Sequence, residues 1–441
     1  MATIAQRELF SWKEVEKLGD LERLRLVLDY LPDEALMEAL EAERGKHGRD
    51  DYPVRAVWNS ILAGVVYGHE SIESLRREMS RNTRLLWLCG FELTRDKEVV
   101  PPAWVYTRFL KKLMEHQEVI DGIFDSLVEE LKKELPDLGQ VLALDGKAIR
   151  SLSRRGPEGE LERDGRRDLD ANKGVKTYWV QKNDGSRWQK VKSWFGYKLH
   201  LLVDANYELP VAFEITKASR SEVPEGKKLV KGLKERHPAI MGSCEYLAAD
   251  KGLDDGELNS KLWDNHGIKP VIDIRNCWQD GEKTKLVDGT QNVVYDYKGT
   301  VSCYDMRLGY RHEMAYGGFE AERGTLKYRC PAEHYGSKCH WQGQCPVKGA
   351  VRIKLKQDRR VFTPLARSSY KWNDIYKKRT AVERVNSRLD VSYGFERHFI
   401  RGLAKMKVRM SLAMIVMLSM ALGRIKEKQR EDMRSLVRPA A

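Results

Sequence analysis

Two aspartates follow short apolar segments that have the composition of buried strands. Asp145 ends the run Val-Leu-Ala-Leu-Asp, and Asp250 ends the run Tyr-Leu-Ala-Ala-Asp. In α/β folds functional groups lie where strands end, because the strand holds the side chain rigidly beside a cleft. A carboxylate there can bind a metal ion. The alternative for each is a turn-forming aspartate after a strand, and Asp145-Gly146 has that pattern as well.

A third carboxylate lies in a segment with helical spacing, residues 376–390. At about 100° per residue, its polar side chains share one stripe beside an apolar stripe that faces the core. The polar stripe holds Tyr376, Arg379, Glu383 and Asp390. A Tyr, an Arg and a Glu in this arrangement suit phosphate contact and metal ligation. The alternative is an Arg379–Glu383 ion pair on a solvated helix face.

A group of cysteines is a second candidate metal site. This cysteine cluster comprises Cys303, Cys330, Cys339, His340 and Cys345. Structural zinc sites take four Cys or His ligands, often from Cys-x-x-Cys pairs. The cluster contains no such pair, so its spacing leaves two interpretations open: a zinc site, or reduced thiols in a small β-rich segment.

Composition narrows the class of protein and of partner. The chain has 441 residues, 78 Lys and Arg against 65 Asp and Glu, and a formal net charge of +13. With 41% hydrophobic and 32% charged residues, it is predicted to be neither a membrane protein nor disordered. The basic excess favours a polyanionic partner, either nucleic acid or an acidic membrane surface. Sparse cysteines and an N-terminus without an apolar signal segment predict a reduced, cytoplasmic protein.

The secondary-structure pattern changes several times along the chain. Residues 1–138 have helical spacing throughout and predict an all-helical domain. Residues 139–275 alternate strands and helices in the order of a mixed α/β sheet. Residues 276–369 hold turn signals and the cysteine cluster, which predicts an inserted subdomain. Residues 370–425 return to long helices, and residues 426–441 form a charged tail.

Several conspicuous segments are assigned to structure rather than chemistry. The charged, glycine-bearing stretch 151–190 predicts a loop, and the apolar run 411–423 predicts a buried core helix too short to span a bilayer. Asp204 is predicted to be a hairpin-turn residue, and Asp273 a strand residue that faces outward. His200 alternates with leucines in a strand and is predicted to lie on a sheet face.

These motifs together resemble DDE transposases of bacterial insertion sequences, and look most like the insertion sequence four group. The pattern Tyr376-x2-Arg379-x3-Glu383 is similar to the signature around the family's third acidic residue. The segments Leu-Ala-Leu-Asp-Gly-Lys and Leu-Ala-Ala-Asp-Lys-Gly are similar to those around its first and second. Residues 56–109 resemble the family's helical N-terminal domain. Asp390 departs from the pattern, because the family often has a DNA-contacting Lys there.

The resemblance implies a fold and a chemistry. The fold is an RNase H-like α/β catalytic core with an insertion before the last acidic helix, preceded by an all-helical N-terminal domain. Asp145, Asp250 and Glu383 are then the catalytic residues and the ligands of two Mg²⁺ or Mn²⁺ ions. Two such ions about 3.5–4 Å apart suit phosphodiester hydrolysis, because one activates water and the other stabilises the leaving oxygen.

The resemblance also implies the partners. Double-stranded DNA is bound as terminal inverted repeats and as target, by a homodimer in a synaptic complex and without a membrane. Tyr376, Arg379, Lys147 and Lys251 are the implied DNA contacts, and residues 1–138 serve DNA-end recognition or dimerisation. Some relatives carry a Cys-rich insertion, which favours zinc at the cysteine cluster.

The predicted function is therefore transposition of an insertion sequence by metal-dependent strand cleavage and strand transfer. Two alternatives keep the same fold. One is a domesticated DNA-binding protein that no longer cuts, which the presence of all three carboxylates disfavours. The other is a metal-dependent nuclease without strand transfer, which the residues alone do not separate from a transposase.

Overall fold

The chain forms two compact units in the computed structural model, which describes residues 19–44, 52–92, 99–153, 168–181 and 187–435. The helical unit comprises Met1–Glu134, Ser151–Ala171 and Ser387–Ala441. The sheet unit comprises Leu135–Arg150 and Asn172–Asn386. Asp145, Asp250 and Glu383 all belong to the sheet unit.

The described part of the N-terminal region is helical, as predicted. Its helices are α1 (Glu22–Tyr30), α2 (Glu34–Ala42), α3 (Val54–Val66), α4 (Ile72–Arg81), α5 (Thr83–Cys89), α6 (Ala103–Glu115) and α7 (Gln117–Glu134). Local residues set several helix ends. The Ser71 hydroxyl accepts a hydrogen bond from the Ser74 N–H before α4, which satisfies a backbone donor that the helix leaves unpaired. Gly90 ends α5 at a φ of +95°, a conformation that glycine adopts without a Cβ clash.

A mixed β-sheet forms the centre of the sheet unit, as predicted. Its strands are β1 (Val141–Arg150), β2 (Asn172–Gln181), β3 (Arg187–Asp204), β4 (Leu209–Lys217), β5 (Tyr246–Ala249) and β6 (Lys269–Ile272). Strand β1 pairs antiparallel with β3 and parallel with β5, and β5 pairs parallel with β6. Both β2 and β4 pair antiparallel with β3. Helices α8 (Glu222–Arg236), α9 (Pro238–Ser243) and α10 (Gly256–His266) supply the crossovers that parallel strands need.

Strand β1 is longer than the apolar run that predicted it. The run ends at Asp145, but the strand continues to Arg150 because β3 pairs with it over that whole length. The parallel pairing with β5 stops at Leu144. Asp145 therefore lies inside a strand but at the end of the parallel pairing, so the turn interpretation of Asp145-Gly146 is wrong.

The loop predicted for residues 151–190 contains strand structure. Residues 172–181 form β2 and residues 187–190 begin β3, while residues 154–167 and 182–186 lie outside the described part of the chain. Residues 188–193 are exposed on both faces of this hairpin. A strand exposed on both faces lacks the alternation of apolar and polar residues that signals a strand in sequence.

The inserted region forms two antiparallel sheets. The first, in the order β10-β9-β8-β7, consists of β7 (Lys285–Leu286), β8 (Val293–Tyr295), β9 (Val301–Tyr304) and β10 (Arg311–Glu313). The second, in the order β11-β12-β13, consists of β11 (Ala315–Glu320), β12 (Thr325–Arg329) and β13 (Ala350–Lys354), and the short helix α11 (Pro331–Tyr335) follows β12. Tyr295, Tyr328 and Phe362 are buried in a shared apolar core.

Helices α12 (Tyr370–Lys377) and α13 (Thr380–Val391) replace the single helix predicted over residues 376–390. The chain turns tightly between them, where the Arg379 N–H donates to the Tyr376 carbonyl at 3.0 Å. The single-helix prediction was wrong. The apolar residues of α13 continue the helical spacing of those in α12 almost without a shift, so the sequence pattern does not show the turn between them. Tyr376 consequently lies in the last turn of α12, and Glu383 lies in the first turn of α13.

Helix α14 (Leu403–Lys426) belongs to the helical unit, whereas the sequence grouped residues 370–425 with the catalytic core. Its residues 410–424 are all buried, and it packs against α1, α3, α6 and α7. The helix is long and apolar enough to span a membrane, yet 89% of its most apolar stretch is buried inside the protein. This burial is typical of a core helix, which is what the run 411–423 predicted.

Candidate active site

Asp145 and Asp250 lie side by side where the parallel pairing of β1 and β5 ends. The preceding residues, Leu144 and Ala249, are register partners in β1 and β5. Burial, and then the negative charge of Asp250, raises the pKa of Asp145 to about 6. Two carboxylates that repel each other in a partly desolvated place are a favourable site for a cation.

Glu383, in the first turn of α13, is linked to this pair through Arg379. The Arg379 Nη2 donates to Glu383 Oε1 at 2.7 Å, and the Glu383 side chain is 52% exposed. Burial lowers the pKa of Arg379, but the hydrogen bond and charge of Glu383, with the Tyr376 and Asp145 groups, raise it overall. Arg379 therefore interacts electrostatically with both the third carboxylate and the first. The ion pair that formed the alternative interpretation is present, at the edge of the aspartate pair.

Tyr376 lies beside the second aspartate. Its ring stacks on Trp372 with 4.7 Å between centroids, and the Arg379 guanidinium lies 5.7 Å from its centroid. Burial and the charges of Asp273 and Asp250 raise the pKa of the Tyr376 hydroxyl, although Arg379 opposes them. The end of α12 thus brings an aromatic ring and a guanidinium to the aspartate edge of the sheet.

Lys147 and Lys251 flank the aspartates. Lys147 lies two residues after Asp145 in β1, and residues two apart share one face of a strand. Lys251 is exposed in the single 3₁₀ turn that follows Asp250. The Asp250 Oδ1 accepts the Gly252 N–H at 2.5 Å, which fixes that turn.

Glu222 is a fourth carboxylate at this edge, and sequence reasoning missed it. It opens α8, and its Oε1 lies 2.9 Å from Lys176 Nζ and 3.7 Å from Lys198 Nζ. A Cβ placed on Gly146 would lie 2.9 Å from Glu222 Oε1. The available signal was weak, because acidic residues are common in the first turn of any helix.

Three residues, Asp204, His200 and Asp273, were predicted to have structural roles, and the structure agrees for the first two. Asp204 is a turn residue, as predicted, since its carboxylate accepts backbone N–H groups of Gly139 at 2.7 Å and Tyr207 at 2.6 Å. His200 is buried and lies 3.0 Å from the Thr216 hydroxyl, and burial lowers its pKa to about 4. Asp273 differs from prediction: it follows β6 at the aspartate edge, near Tyr376.

The four cysteines of the cysteine cluster lie around one cavity, whereas His340 does not. Four thiols line one cavity of about 230 Å³; they belong to Cys303, Cys330, Cys339 and Cys345. Burial and the other three thiols raise the pKa of Cys303 to about 12. His340 is engaged elsewhere, with Nδ1 3.2 Å from Asp305 Oδ2. Across the described ranges no three Cys, His, Asp or Glu side chains already close around one point, either here or at the aspartates.

Comparison with protein families identifies the class. Residues 137–419 match the family model described as "Transposase DDE domain". This match covers more than half of the chain, and the protein therefore belongs to the DDE transposases. Residues 11–112 match a second model, "Transposase domain (DUF772)", so both the N-terminal region and the sheet region carry transposase domains.

Comparison with individual proteins adds little to the family assignment. No curated protein matches the chain. One solved structure that aligns is described as the cryo-EM structure of a piggyBac transposase synaptic complex with hairpin DNA. The alignment has 11% identity and covers 96% of this chain and 86% of that one. Its TM-score is 0.35, which is too low to transfer any detail.

Proposed function

We propose that this transposase cuts DNA at the ends of an insertion sequence and joins the freed ends to target DNA, with Asp145, Asp250 and Glu383 as its catalytic carboxylates. The observation that carries the proposal is the register of β1 and β5, which places Asp145 and Asp250 side by side. Tyr376 and Arg379 lie at the same edge. This gathering of the Tyr-Arg-Glu motif supports assignment to the insertion sequence four group.

The strand order supports an RNase H-like core. In that fold a central strand has an antiparallel hairpin on one side and parallel strands on the other. Here β1 has the β3–β4 hairpin on one side and β5 and β6 on the other. The insertion lies between β6 and α12, before the helix that carries Glu383.

The carboxylates suit two Mg²⁺ or Mn²⁺ ions. Hard divalent ions prefer carboxylate oxygen. Burial and the charge of Asp250 raise the pKa of Asp145, and a cation held between the two aspartates would favour the ionised form. Held by Asp145, Asp250 and Glu383, the ions would activate a water molecule and stabilise the leaving oxygen. Glu383 is half exposed and lies in the first turn of α13, so we expect its side chain to turn from Arg379 toward the aspartates when the ions bind.

The basic residues around the carboxylates position double-stranded DNA. Arg379 offers a planar fork that matches a phosphate, and Lys147 and Lys251 offer point charges beside each aspartate. Tyr376 offers a hydroxyl and a ring held by Trp372. A homodimer that binds both terminal inverted repeats would bring two such sites together with the target DNA.

A product assay separates this function from its alternatives. Purified protein is incubated with Mg²⁺, a DNA fragment bearing the element's inverted repeats, and a target plasmid. Joined strands support transposition. Nicks without joining indicate a nuclease, and binding without cleavage indicates a protein that has lost the chemistry.

We propose that the helical N-terminal region contacts the DNA ends through one face of α6. Trp104, Arg108 and Lys111 are exposed and spaced to share that face. The Arg108 guanidinium lies 5.8 Å from the Trp104 ring centroid. A guanidinium on an exposed indole presents charge and a flat apolar surface together, as nucleic-acid contacts do.

Replacing Arg108 and Lys111 together by alanine is expected to weaken end binding about tenfold and lower the salt slope by about two. Titration of labelled end DNA at several salt concentrations measures both quantities. Lys133→Ala is the matched control, because Lys133 is 67% exposed on α7 and pairs with Glu130. Unchanged affinity in the double variant would assign α6 to packing or dimerisation instead.

We also propose that the insertion holds one structural zinc ion at Cys303, Cys330, Cys339 and Cys345. Thiolates are favoured zinc ligands, and the four cysteines line one cavity although they come from separate elements. The Asn292 amide nitrogen lies 3.6 Å from Cys345 Sγ, as an outer hydrogen bond to a ligand would. His340, bound to Asp305, is not needed.

Elemental analysis of protein purified under reducing conditions is expected to give about one zinc per chain. Cys339→Ser with Cys345→Ser is expected to remove most of it, because two of four ligands are lost. Cys277→Ser is the control, since Cys277 is exposed and outside the cavity. Wild-type protein without zinc would leave the cavity as a group of reduced thiols.

A further inference from the structure

We propose that Glu222 is a positioning residue that sets the separation of the backbones carrying Asp145 and Asp250. The inference rests on the function proposed above. Glu222 belongs to neither the aspartate pair nor the Tyr-Arg-Glu motif. Its carboxylate nevertheless lies against the residues that follow both aspartates.

The contact with Gly146 is the most specific. A Cβ built on Gly146 would lie 2.9 Å from Glu222 Oε1 and 3.0 Å from both its Cδ and Cγ, and no other residue supplies the three nearest atoms. At separations this short a Cβ on residue 146 would force the glutamate side chain to shift, and the lysines that pair with Glu222 oppose that shift. Gly146 directly follows Asp145 in the strand.

The contact with Gly252 ties the same carboxylate to the second aspartate. A Cβ on Gly252 would lie 2.5 Å from Glu222 Oε2 and 2.8 Å from Asp250 Oδ1. Gly252 also donates its N–H to Asp250. One oxygen of Glu222 therefore faces the backbone after Asp145, and the other faces the turn that fixes Asp250.

Two lysines hold the carboxylate in this position. Lys176 Nζ lies 2.9 Å from Glu222 Oε1 and donates to the Gly146 carbonyl at 3.2 Å. Lys198 lies 3.7 Å from the same oxygen and donates to the Arg220 carbonyl at 2.8 Å. The Glu222 side chain is 12% exposed and that of Lys198 is 9% exposed. Strands β2 and β3 thus clamp the start of α8 to β1.

Filling space does not explain why this contact is made by charged side chains. Burying an ion pair costs desolvation that an apolar side chain of similar volume avoids. The glutamate and its two lysines together carry one net positive charge beside the aspartate pair, whereas a glutamate alone would add to the repulsion between the aspartates. The arrangement fixes their spacing and leaves the outer edge for cations and DNA.

A double-variant comparison tests the proposal. Gly146→Ala is expected to displace the Glu222 carboxylate and lower Mg²⁺-dependent end cleavage about tenfold or more, with a higher Mn²⁺ concentration for half-maximal rate. Glu222→Ala is expected to have a similar effect. In protein that already carries Glu222→Ala, adding Gly146→Ala is expected to change neither quantity. Glu222→Gln keeps the shape but removes the charge that pairs with the two lysines, and it is expected to recover only part of the rate.

Controls separate failure of this inference from failure of the proposed function. Gly232→Ala on α8 is the matched glycine control, because its Cβ would meet only the Arg236 side chain, at 3.4 Å. Metal-free DNA binding and thermal unfolding report folding of each variant. The inference would be overturned if Gly146→Ala lowered the cleavage rate by the same factor in wild-type protein and in protein carrying Glu222→Ala. It would also be overturned if Glu222→Ala alone were fully active. Retained cleavage by Asp145→Asn would instead overturn the proposed function.

Discussion

Replacing Asp145 by Asn is expected to reduce DNA-end cleavage by a factor on the order of a thousand or more, with DNA binding close to wild type. Asp145 and Asp250 adjoin each other at the end of paired parallel strands. A carboxylate that holds the catalytic cations would contribute several kcal/mol to stabilising the transition state, and each 1.36 kcal/mol is about tenfold in rate. Asparagine keeps the size of the side chain and removes its charge, so misfolding is not the expected cause of the lost cleavage.

The same substitution is expected to stabilise the metal-free protein at pH 7. The pKa of Asp145 is raised from 3.8 to about 6 by burial and by Asp250, so the folded protein holds this proton more tightly than the unfolded chain. The ionised aspartate therefore costs stability above pH 6, and the cost disappears as the pH falls below about 4. Asparagine removes roughly 1–3 kcal/mol of this cost at pH 7.

Cleavage kinetics and denaturant unfolding in EDTA measure the two effects. Asp280→Asn is the matched control, because Asp280 is an exposed carboxylate of the insertion that pairs with Lys285 at 3.1 Å. Activity lost together with stability would indicate a structural role for Asp145. Cleavage at the wild-type rate would remove it from the catalytic site.

Replacing Arg379 by Ala is expected to lower cleavage about a hundredfold and to weaken end-DNA binding about tenfold. Arg379 lies over the Tyr376 ring and pairs with Glu383 at 2.7 Å, within the field of Asp145. Its loss removes a phosphate contact beside the reacting bond. Glu383→Gln, in contrast, is expected to remove cleavage and spare binding, because its carboxylate serves the cations.

Binding titrations and single-turnover cleavage separate these two variants. Arg384→Ala is the control on the same helix, since Arg384 is half exposed and pairs with Glu208 at 2.6 Å. Arg379→Lys keeps the charge without the planar fork and is expected to recover only part of the activity. If the Arg379–Glu383 pair were only a surface ion pair, contributing about 0–1 kcal/mol, both variants would cleave nearly as wild type.

The aspartate site could be predicted from sequence because strong local signals mark it. Short apolar runs ending in Asp145 and Asp250 identify buried strands. When these two strands pair in parallel with their apolar runs aligned, the two aspartates that follow lie next to each other. The local pattern did not reveal how far β1 extends. That length is set by its antiparallel partner β3, which lies far away in sequence.

Other features depend on contacts that no local pattern contains. The turn at Arg379 interrupts an apolar period that continues on both sides, so residues 376–390 resembled one helix. Helix α14 has an apolar surface on every side, which shows that it is buried but not which unit buries it. Glu222 is an ordinary first-turn glutamate until the fold brings Gly146 and Gly252 against it.

Anomalous diffraction from crystals grown with Mn²⁺ and end DNA tests the shared carboxylate site most directly. The proposed function predicts Mn²⁺ peaks bounded by the carboxylates of Asp145, Asp250 and Glu383, about 2.0–2.2 Å from their oxygens, with the Arg379–Glu383 ion pair opened. Mn²⁺ bound at another set of residues in a complex that still cleaves DNA, or a Glu383 that stays on Arg379 beside occupied metal positions, would contradict it.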